Sequence, residues 1–158
     1  MNKKQVDTII QHFRNASRQY SDASIFMHEA IARRAGLSGS DHKYLGLLLQ
    51  HKELTAGELS KLTGLTTGAV TGLIDRLEKK ELLKRQFTKD DRRKVIIVPN
   101  VENSMKLLQP LFSGLQQRTA DLIASFTKTE IQAIERYFVE ATVIMKETTD
   151  NMNTKQND

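Results

Sequence analysis

A dense cluster of basic side chains lies between residues 84 and 94, where six lysines and arginines stand beside two aspartates. The local charge is +4 within eleven residues, whereas the whole chain of 158 residues carries a net charge of only +5. Such a density of ammonium and guanidinium groups is suited to binding phosphate oxygens. An arginine at the tip of such a cluster can also enter the minor groove of DNA, where negative potential is concentrated. The segment therefore favours binding to a nucleic-acid backbone.

The residues on either side of this cluster predict a β-hairpin. The runs Leu82–Phe87 and Val95–Val98 contain β-prone side chains, and seven residues separate them. The tip, Lys89–Lys94, reads KDDRRK. An aspartate two residues before an arginine in this tip is repelled by phosphate, so its expected role is to orient that arginine through a charge-assisted hydrogen bond. Taken alone, the alternative for such a run is an ordinary solvated turn.

Two short helices joined by a tight turn are predicted immediately before the hairpin. Thr55 and Glu58 form a capping box that opens the first helix. Gly64 suits the left-handed backbone of the turn. Thr66 can cap the second helix, predicted over residues 67–80. The segment therefore has the order helix, turn, helix and wing, which fits the major groove of DNA and the groove beside it.

The outward face of the second helix carries small residues. Helical spacing places Thr67, Gly68, Thr71 and Gly72 on the side away from the apolar residues. Glycine and threonine are poor helix formers, so their presence indicates selection for something other than helix stability. Small residues let a backbone approach a groove closely, and threonine can contact a base edge, a thymine methyl or a phosphate. The alternative is that these are ordinary surface residues.

Arg76 lies later on the same helix, and three roles are open to it. It can bind a phosphate, hold the wing, or form a surface ion pair with a neighbouring acid such as Asp75 or Glu78. The sequence does not decide among these roles.

The rest of the chain is predicted to be helical. Apolar residues recur at steps of three and four along residues 5–35, along 101–124, and after a second capping box at Thr127–Glu130. Pro110 falls inside the 101–124 pattern and predicts a kink or break between Lys106 and Gln109.

The terminal helices carry apolar stripes that lie far in sequence from the helix-turn-helix. A second subunit is an economical way to cover them, which predicts a homodimer, with an intrachain helical bundle as the alternative. The predicted fold is therefore mainly α with a small β-hairpin wing: a winged helix-turn-helix with N- and C-terminal dimerisation helices.

Composition and pattern exclude several classes of protein. The chain has no cysteine, which excludes disulfides, thiol-based redox sensing and zinc sites with cysteine ligands. The N-terminal residues lack a signal-peptide core and no apolar run is long enough to span a bilayer, so we expect a cytoplasmic protein without a membrane partner. There is no nucleophile–base pair, phosphate-binding glycine loop or pair of carboxylates at helical spacing. Neither catalysis nor a cofactor is expected.

The segment resembles the MarR family (multiple antibiotic resistance regulators) of bacterial winged-helix proteins. The resemblance rests on Leu65–Thr71 (LTTGAVT) and Ile74–Lys80 (IDRLEKK) in the second helix, and on Leu82–Arg85 (LLKR) after it. The family's wing signature is Asp-x-Arg, which Asp91–Arg93 matches. The resemblance covers the whole chain in the order of elements and is most specific from Leu54 to Val98.

This resemblance implies a homodimer whose terminal helices form the interface and whose two winged helices bind a pseudo-palindromic site on double-stranded DNA. It implies a transcriptional repressor that a small, often phenolic or aromatic-acid ligand releases from DNA. By position, Thr66–Thr71 would meet the major groove and Arg93 the minor groove. Pro99-Asn100 stands where the family often has Leu-Thr, which alters only a helix cap. The lack of cysteine removes the peroxide-sensing thiol of one branch.

These inferences give a set of candidate residues and boundaries. The candidate DNA-contacting residues are Thr55, Thr66, Thr67, Gly68, Thr71, Arg76, Asp91, Arg92, Arg93 and Lys94. The predicted boundaries are dimerisation helices at 1–36 and 100–147, a winged helix-turn-helix at 37–99 and a disordered tail at 148–158.

A ligand site is predicted near the junction of the two parts. His28, His42 and Tyr44 offer imidazole and phenol groups that suit an anionic aromatic ligand, and the alternative is that they brace the helices. A metal-responsive regulator would add His12 and Asp41 as ligands, but no His-x-x-x-His spacing supports this, and no metal is expected. A winged helix that binds protein instead of DNA would require a neutral or acidic wing, unlike the basic one here.

Overall fold

The chain folds mainly into helices, with one small antiparallel sheet, as the sequence predicts. A computed structural model describes residues 1–87 and 95–154. The elements in chain order are α1 Lys3–Arg34, α2 Gly39–Gln50, β1 Leu54–Thr55, α3 Ala56–Thr63, α4 Thr67–Lys79, β2 Leu83–Phe87, β3 Val95–Pro99, α5 Val101–Ala124 and α6 Lys128–Thr154. Within the described residues, every helix is either too short or too polar to span a bilayer.

Two compact units divide the chain, Met1–Leu111 and Phe112–Asp158, and the boundary falls inside α5. The first unit contains α1, the helix-turn-helix and the sheet. The second contains the C-terminal half of α5 and α6. The boundaries predicted from the sequence divide the chain by role, with the terminal helices grouped as dimerisation helices. The two compact units do not test such a division by role, so these boundaries stay a prediction.

Local signals set the helix ends of the helix-turn-helix as predicted. Thr55 caps α3 and forms a reciprocal capping box with Glu58. Gly64 ends α3 in the left-handed region, with φ of 70°. The Thr66 hydroxyl then caps α4 by accepting from the N–H of Ala69 at 3.3 Å. These short-range bonds satisfy backbone groups that a helix end would otherwise leave without partners.

The sheet has the strand order β1-β3-β2, with both pairs antiparallel. Leu54 of β1 stands opposite Ile97 of β3, and β2 pairs with β3 from Leu83 opposite Pro99 to Phe87 opposite Val95. The two strands of the predicted hairpin are confirmed. The sequence does not predict β1, because a strand of only two residues shows no alternation.

One apolar core lies beneath the helix-turn-helix. Side chains from α2, α3, α4 and β3 contribute to it. The largest fully buried apolar side chains are Leu45, Leu48, Leu59, Val70, Leu73, Leu77 and Ile97. This core supports α4 from one side only, which leaves its other side available at the surface.

Of the kink or break predicted at Pro110, the break is wrong, because α5 runs from Val101 to Ala124 without interruption, and the kink stays a prediction. Proline lacks an N–H, so the carbonyl four residues earlier, that of Lys106, loses its helical partner. Lys106 is exposed, and water can therefore take the place of the missing donor.

Of the tail predicted to be disordered over residues 148–158, residues 148–154 are helical as the last part of α6, and residues 155–158 lie outside the described residues. The Thr148 hydroxyl donates to the carbonyl of Ile144 at 2.7 Å, and the Thr149 hydroxyl donates to that of Met145 at 2.9 Å. Extending an existing helix needs no new nucleus, so a polar continuation without an apolar pattern can remain helical.

Candidate nucleic-acid interface

The turn between α3 and α4 is closed by hydrogen bonds at the end of α3. The Ser60 hydroxyl donates to the Leu65 carbonyl at 2.6 Å, and the Gly64 N–H donates to the Ser60 carbonyl at 2.9 Å. The Thr63 hydroxyl donates to the Leu59 carbonyl at 2.6 Å. The Gly64 bond satisfies one of the last carbonyls of α3, and the Ser60 bond ties the turn residue Leu65 back to α3, so the two bonds help to fix the angle at which α4 begins.

α4 buries one side and exposes small residues on the other, as predicted. The buried side chains are Val70, Leu73, Ile74 and Leu77, and the exposed residues at its start are Thr66, Thr67, Gly68, Ala69 and Thr71. The Thr71 hydroxyl donates to the carbonyl of Thr67 at 3.0 Å. Contact between these exposed residues and DNA stays a prediction.

Thr55 uses its hydroxyl within its own helix cap. The hydroxyl donates to Oε2 of Glu58 at 2.7 Å and accepts from the Glu58 N–H at 3.2 Å. A hydroxyl has one proton to donate, and a phosphate offers only acceptors, so the capped geometry does not favour a phosphate contact through this group. The predicted DNA contact of Thr55 therefore gains no support from the position of its hydroxyl.

Arg76 pairs with Asp41 of α2 and not with an acid of its own helix. Its Nε donates to Oδ1 of Asp41 at 3.2 Å and to Oδ2 at 3.0 Å, and its Nη2 donates to Oδ1 at 2.7 Å. The surface pair with Asp75 or Glu78, one of the three roles left open for Arg76, is therefore not the one that the structure shows. The true partner lies 35 residues away in sequence and comes close only in the folded chain.

Gly72 makes room for this arginine. A Cβ atom at Gly72 would lie 3.3 Å from Nη1 of Arg76, whereas a Cβ at Gly68 would meet no atom within 4 Å. Gly68 therefore faces open space, while Gly72 lies under the guanidinium. The sequence predicts that both glycines lie on the same outward face, but in the structure only Gly68 faces open space, because Arg76 covers Gly72.

Asp41 is a buried carboxylate that keeps its charge. The residue is only 4% exposed. Its hydrogen bond with Arg76 holds the pKa of Asp41 below the ordinary value of 3.8 against the opposing effect of burial, and Ser38 and Lys80 add to the lowering. Asp41 also lies in the first turn of α2, where the helix dipole favours negative charge. The Asp41 carboxylate is therefore ionised at neutral pH.

We expect the stabilisation by this pair to disappear in acid. A carboxyl group whose pKa is lowered by folding stabilises the fold fully above its ordinary pKa of 3.8 and loses that contribution as the pH falls through the lowered value. The check is urea unfolding of the wild type and Asp41→Asn from about pH 7 down to about pH 3. The difference in free energy of unfolding should narrow in acid. A constant difference would show that the charge of Asp41 contributes nothing.

A second ion cluster joins α4 to β2. The Arg85 guanidinium pairs with the carboxylates of Asp75 and Glu78, and the Arg85 backbone N–H donates to Oε1 of Glu78 at 2.9 Å. The hydrogen bond with Asp75, and then that with Glu78, raises the pKa of Arg85 above its usual value. The sequence assigns Arg85 no role of its own and counts it only within the basic cluster of residues 84–94. The available signal was two carboxylates three residues apart on a helix, followed by a basic strand.

The tip of the wing lies outside the described residues. β2 and β3 pair as far as Phe87 and Val95. The four predicted contact residues of the tip, Asp91, Arg92, Arg93 and Lys94, fall within residues 88–94. Their contact with DNA stays a prediction from the sequence.

Two of the three predicted ligand residues lie together. The imidazole rings of His28 on α1 and His42 on α2 have centroids 5.4 Å apart and planes inclined at 37°. Burial lowers the pKa of His42, and the nearby His28 adds to the lowering. Tyr44 makes a different contact, with the Lys43 ammonium 5.5 Å from its ring centroid. Ligand binding by these residues stays a prediction.

The structure does not assemble a metal site from the candidate ligands. Within residues 1–87 and 95–154, no three His, Asp or Glu side chains lie close enough together to hold a metal ion. The metal-responsive alternative, which combines His12 and Asp41 with the histidine pair, therefore has no ligand set in this part of the chain.

Known proteins resemble this chain in sequence and in fold. A sequence model of the MarR family matches residues 35–94. YcgE, an HTH-type transcriptional regulator of Bacillus subtilis strain 168, is 39% identical over 140 residues, which cover 89% of this chain and 88% of YcgE. A MarR family protein from Bacillus stearothermophilus matches with a TM-score of 0.66 at 23% identity, covering 92% of this chain and 99% of that one.

A nucleic-acid-bound structure has the same fold. A single-residue mutant of S. aureus MepR bound to an oligodeoxyribonucleotide matches with a TM-score of 0.53 at 19% identity, covering 82% of this chain and 97% of that one. At these identities the solved structures show the fold, whereas the likeness to YcgE extends over most of both sequences. The winged helix with its outward α4, the family match and this relative together show that the chain belongs to the MarR family of DNA-binding transcriptional regulators.

Proposed function

We propose that the protein is a homodimeric repressor that binds a pseudo-palindromic operator and leaves it when a small aromatic or phenolic ligand binds. The observation that carries the proposal is the outward face of α4, where Thr67, Gly68 and Thr71 are exposed. Apolar contacts hold the opposite side of this helix, and two ion clusters hold its C-terminal half. A fixed helix with a small, hydroxyl-bearing surface suits close approach to the major groove.

Exposed apolar side chains support the homodimer. Ile134, Phe138 and Met145 lie along one side of α6 and are 40%, 50% and 66% exposed. On α1, the exposed apolar side chains include Val6, Ile9, Ile10, Phe13, Tyr20, Ile25 and Phe26. Apolar surface of this extent marks an interface, and a second copy of the chain supplies a matching surface through two-fold symmetry. Two copies would also present two α4 helices to the two halves of an operator.

The partner we propose is duplex DNA, read in both grooves. Thr66, Thr67, Gly68 and Thr71 would contact the major groove, and Arg93 in the wing would enter the minor groove. The solved complex of the MepR mutant with an oligodeoxyribonucleotide supports DNA as the partner of this fold. Repression follows where such a site overlaps a promoter, because the bound dimer excludes the polymerase.

The histidine pair supports a ligand site between α1 and α2. The imidazoles of His28 and His42 have ring centroids 5.4 Å apart, and burial lowers the pKa of His42, which keeps that ring neutral to lower pH than an ordinary histidine. Neutral imidazoles donate and accept hydrogen bonds, which suits a phenol or a carboxylic acid. α2 also carries Asp41, the partner of Arg76 on α4, so a ligand that shifts α2 would disturb α4.

Fluorescence anisotropy tests the proposal directly. The purified protein is titrated into labelled duplex from the region upstream of its own gene and into an unrelated duplex, over a series of salt concentrations, with and without 4-hydroxybenzoate as the ligand probe. Tight binding that prefers one duplex and falls steeply with salt would support an autoregulating repressor. Equal weak binding to both duplexes would contradict autoregulation, and genome-wide selection of binding sites would then decide whether an operator exists elsewhere.

We expect Arg93→Ala to weaken operator binding by about 1–3 kcal/mol, because an arginine in the minor groove contributes on this scale. The measurement is anisotropy at a fixed salt concentration. Arg118→Ala is the matched control, since Arg118 is an exposed arginine on α5 and lies outside the proposed DNA-contacting residues of α4 and the wing. Equal affinity of the wild type and Arg93→Ala would refute the assignment of this arginine to the groove.

A further inference from the structure

We propose that Asp41 and Arg76 are positioning residues for operator recognition: their ion pair sets the orientation of α4 against α2, and neither side chain contacts DNA. The inference rests on the proposed function, because it concerns how α4 is presented to an operator. It also changes the role predicted for Arg76, from a DNA-contacting residue to one that acts through its own protein.

The geometry of the pair is directional. Three hydrogen bonds join Nε and Nη2 of Arg76 to both oxygens of Asp41, at 2.7 to 3.2 Å. A planar guanidinium bound through two nitrogens to one carboxylate has a fixed relative orientation. The apolar stripe of α4 holds the helix against the core, but individual hydrophobic contacts have no preferred direction, so they restrain its orientation less sharply than a hydrogen-bonded pair. The fork therefore adds an angular restraint between α2 and α4.

Charge argues against a phosphate contact by Arg76. Its positive charge is compensated by the ionised Asp41 carboxylate within the same hydrogen-bonded group, and a carboxylate repels phosphate. The neighbouring Arg85 is likewise compensated, by Asp75 and Glu78. Arg76 in the C-terminal half of α4 and Arg85 at the start of the wing are thus both neutralised by carboxylates of the protein itself.

The placement of Gly72 agrees with an inward-held arginine. A Cβ at this position would lie 3.3 Å from Nη1 of Arg76, so glycine leaves the room in which the side chain folds back along its own helix. Asp41 is buried, with a side-chain exposed fraction of 6%, whereas the Arg76 side chain is 54% exposed. The pair is therefore anchored at its α2 end and covers the surface of α4 at the other.

The test is a double-mutant cycle of Asp41→Asn and Arg76→Lys, read by DNA binding. The probe is the duplex that wild-type protein enriches most from a random pool, with a scrambled duplex for non-specific binding. Arg76→Lys keeps the positive charge and loses the planar fork, and Asp41→Asn keeps the shape and loses the negative charge. Glu29→Gln is the matched control, because it neutralises an exposed acid whose pair with Arg33 has a long separation of 3.9 Å.

We expect each single variant to bind the selected duplex about 10 to 100 times more weakly, with the double variant no weaker than the worse single one. The slope of affinity against salt and the binding to scrambled duplex should stay at wild-type values, because no phosphate contact is lost. Glu29→Gln should bind like the wild type. Thermal unfolding followed by circular dichroism shows whether each variant is folded, and stoichiometric titration with DNA measures its binding-competent fraction. Affinities are compared for that fraction only.

Several results would overturn the inference. Unchanged or tighter binding by Asp41→Asn would do so, because loss of a negative charge alone favours DNA. A further variant, Arg76→Ala, tests for a phosphate contact. If Arg76→Lys binds with wild-type affinity and the slope of log affinity against log salt concentration falls by about 0.9 in Arg76→Ala, then Arg76 contacts a phosphate. Failure of the wild type to enrich any sequence would instead refute the proposed function, and this inference with it.

Discussion

Replacing Phe138 with aspartate is expected to convert the protein from a dimer to a monomer at micromolar concentration. Phe138 is 50% exposed on the apolar side of α6, between Ile134 and Met145. In a two-fold dimer the substitution occurs twice at one interface. Desolvating an unpaired carboxylate costs several kcal/mol, so a loss of about 4 kcal/mol, or roughly three orders of magnitude in dimer affinity, is a conservative expectation.

Sedimentation velocity over a range of concentrations measures this change. Arg136→Asp is the matched control, because residues two apart lie about 200° around a helix and Arg136 therefore occupies the opposite side of α6. The control should remain a dimer. Operator affinity should fall in Phe138→Asp, since two joined half-sites bind more tightly than one. A stable Phe138→Asp dimer would place the subunit interface elsewhere on the chain.

The local parts of this fold are predictable because their causes are local. The cap at Thr55, the left-handed Gly64 and the cap at Thr66 depend on residues no more than a few positions apart, and the structure confirms all three. These signals place the start of α4, and the apolar period then determines which side it buries. The outward position of Thr67 and Gly68 follows from these steps alone.

The parts that sequence reasoning missed depend on distant residues. The partner of Arg76 is Asp41, 35 positions earlier, and a single sequence carries no periodic signal for such a pair. The acids Asp75 and Glu78 are close to Arg76 in sequence, but residues one and two positions apart do not face each other on a helix, and Arg85 of β2 pairs with both. The competition among charged groups is therefore decided by tertiary geometry.

The C-terminal errors have a different physical origin. Local propensity alone indicates a kink or break at Pro110 and disorder in the polar tail. Both segments continue existing helices, so neither needs a new nucleus. Each residue of the tail adds a hydrogen bond, whereas Pro110 costs the helix the one bond that its missing N–H would make. Propensity therefore underestimates helix length at positions that follow a long, regular stretch such as α6.

A glutamate at Gly68 is expected to stabilise the fold and to abolish operator recognition. Gly68 is the second residue of α4, after the cap at Thr66, and a Cβ there meets no atom within 4 Å. Replacing a helical glycine gains about 0.5–1 kcal/mol, and a negative charge at a helix N-terminus adds about 0.3–1 kcal/mol. The same carboxylate would face the DNA phosphates, and like-charge contact at an interface costs several kcal/mol.

Stability and DNA binding should therefore change in opposite directions, which separates a functional surface from a structural one. Thermal unfolding should show a higher Tm for Gly68→Glu, while anisotropy should show operator affinity lower by more than about 100-fold, or roughly 3 kcal/mol. Gly68→Gln, of nearly the same size and without charge, divides this loss into steric and electrostatic parts, and only the electrostatic part should shrink as salt is raised. A Gly68→Glu protein that melts higher and still binds the operator like the wild type would show that the N-terminal end of α4 does not face DNA.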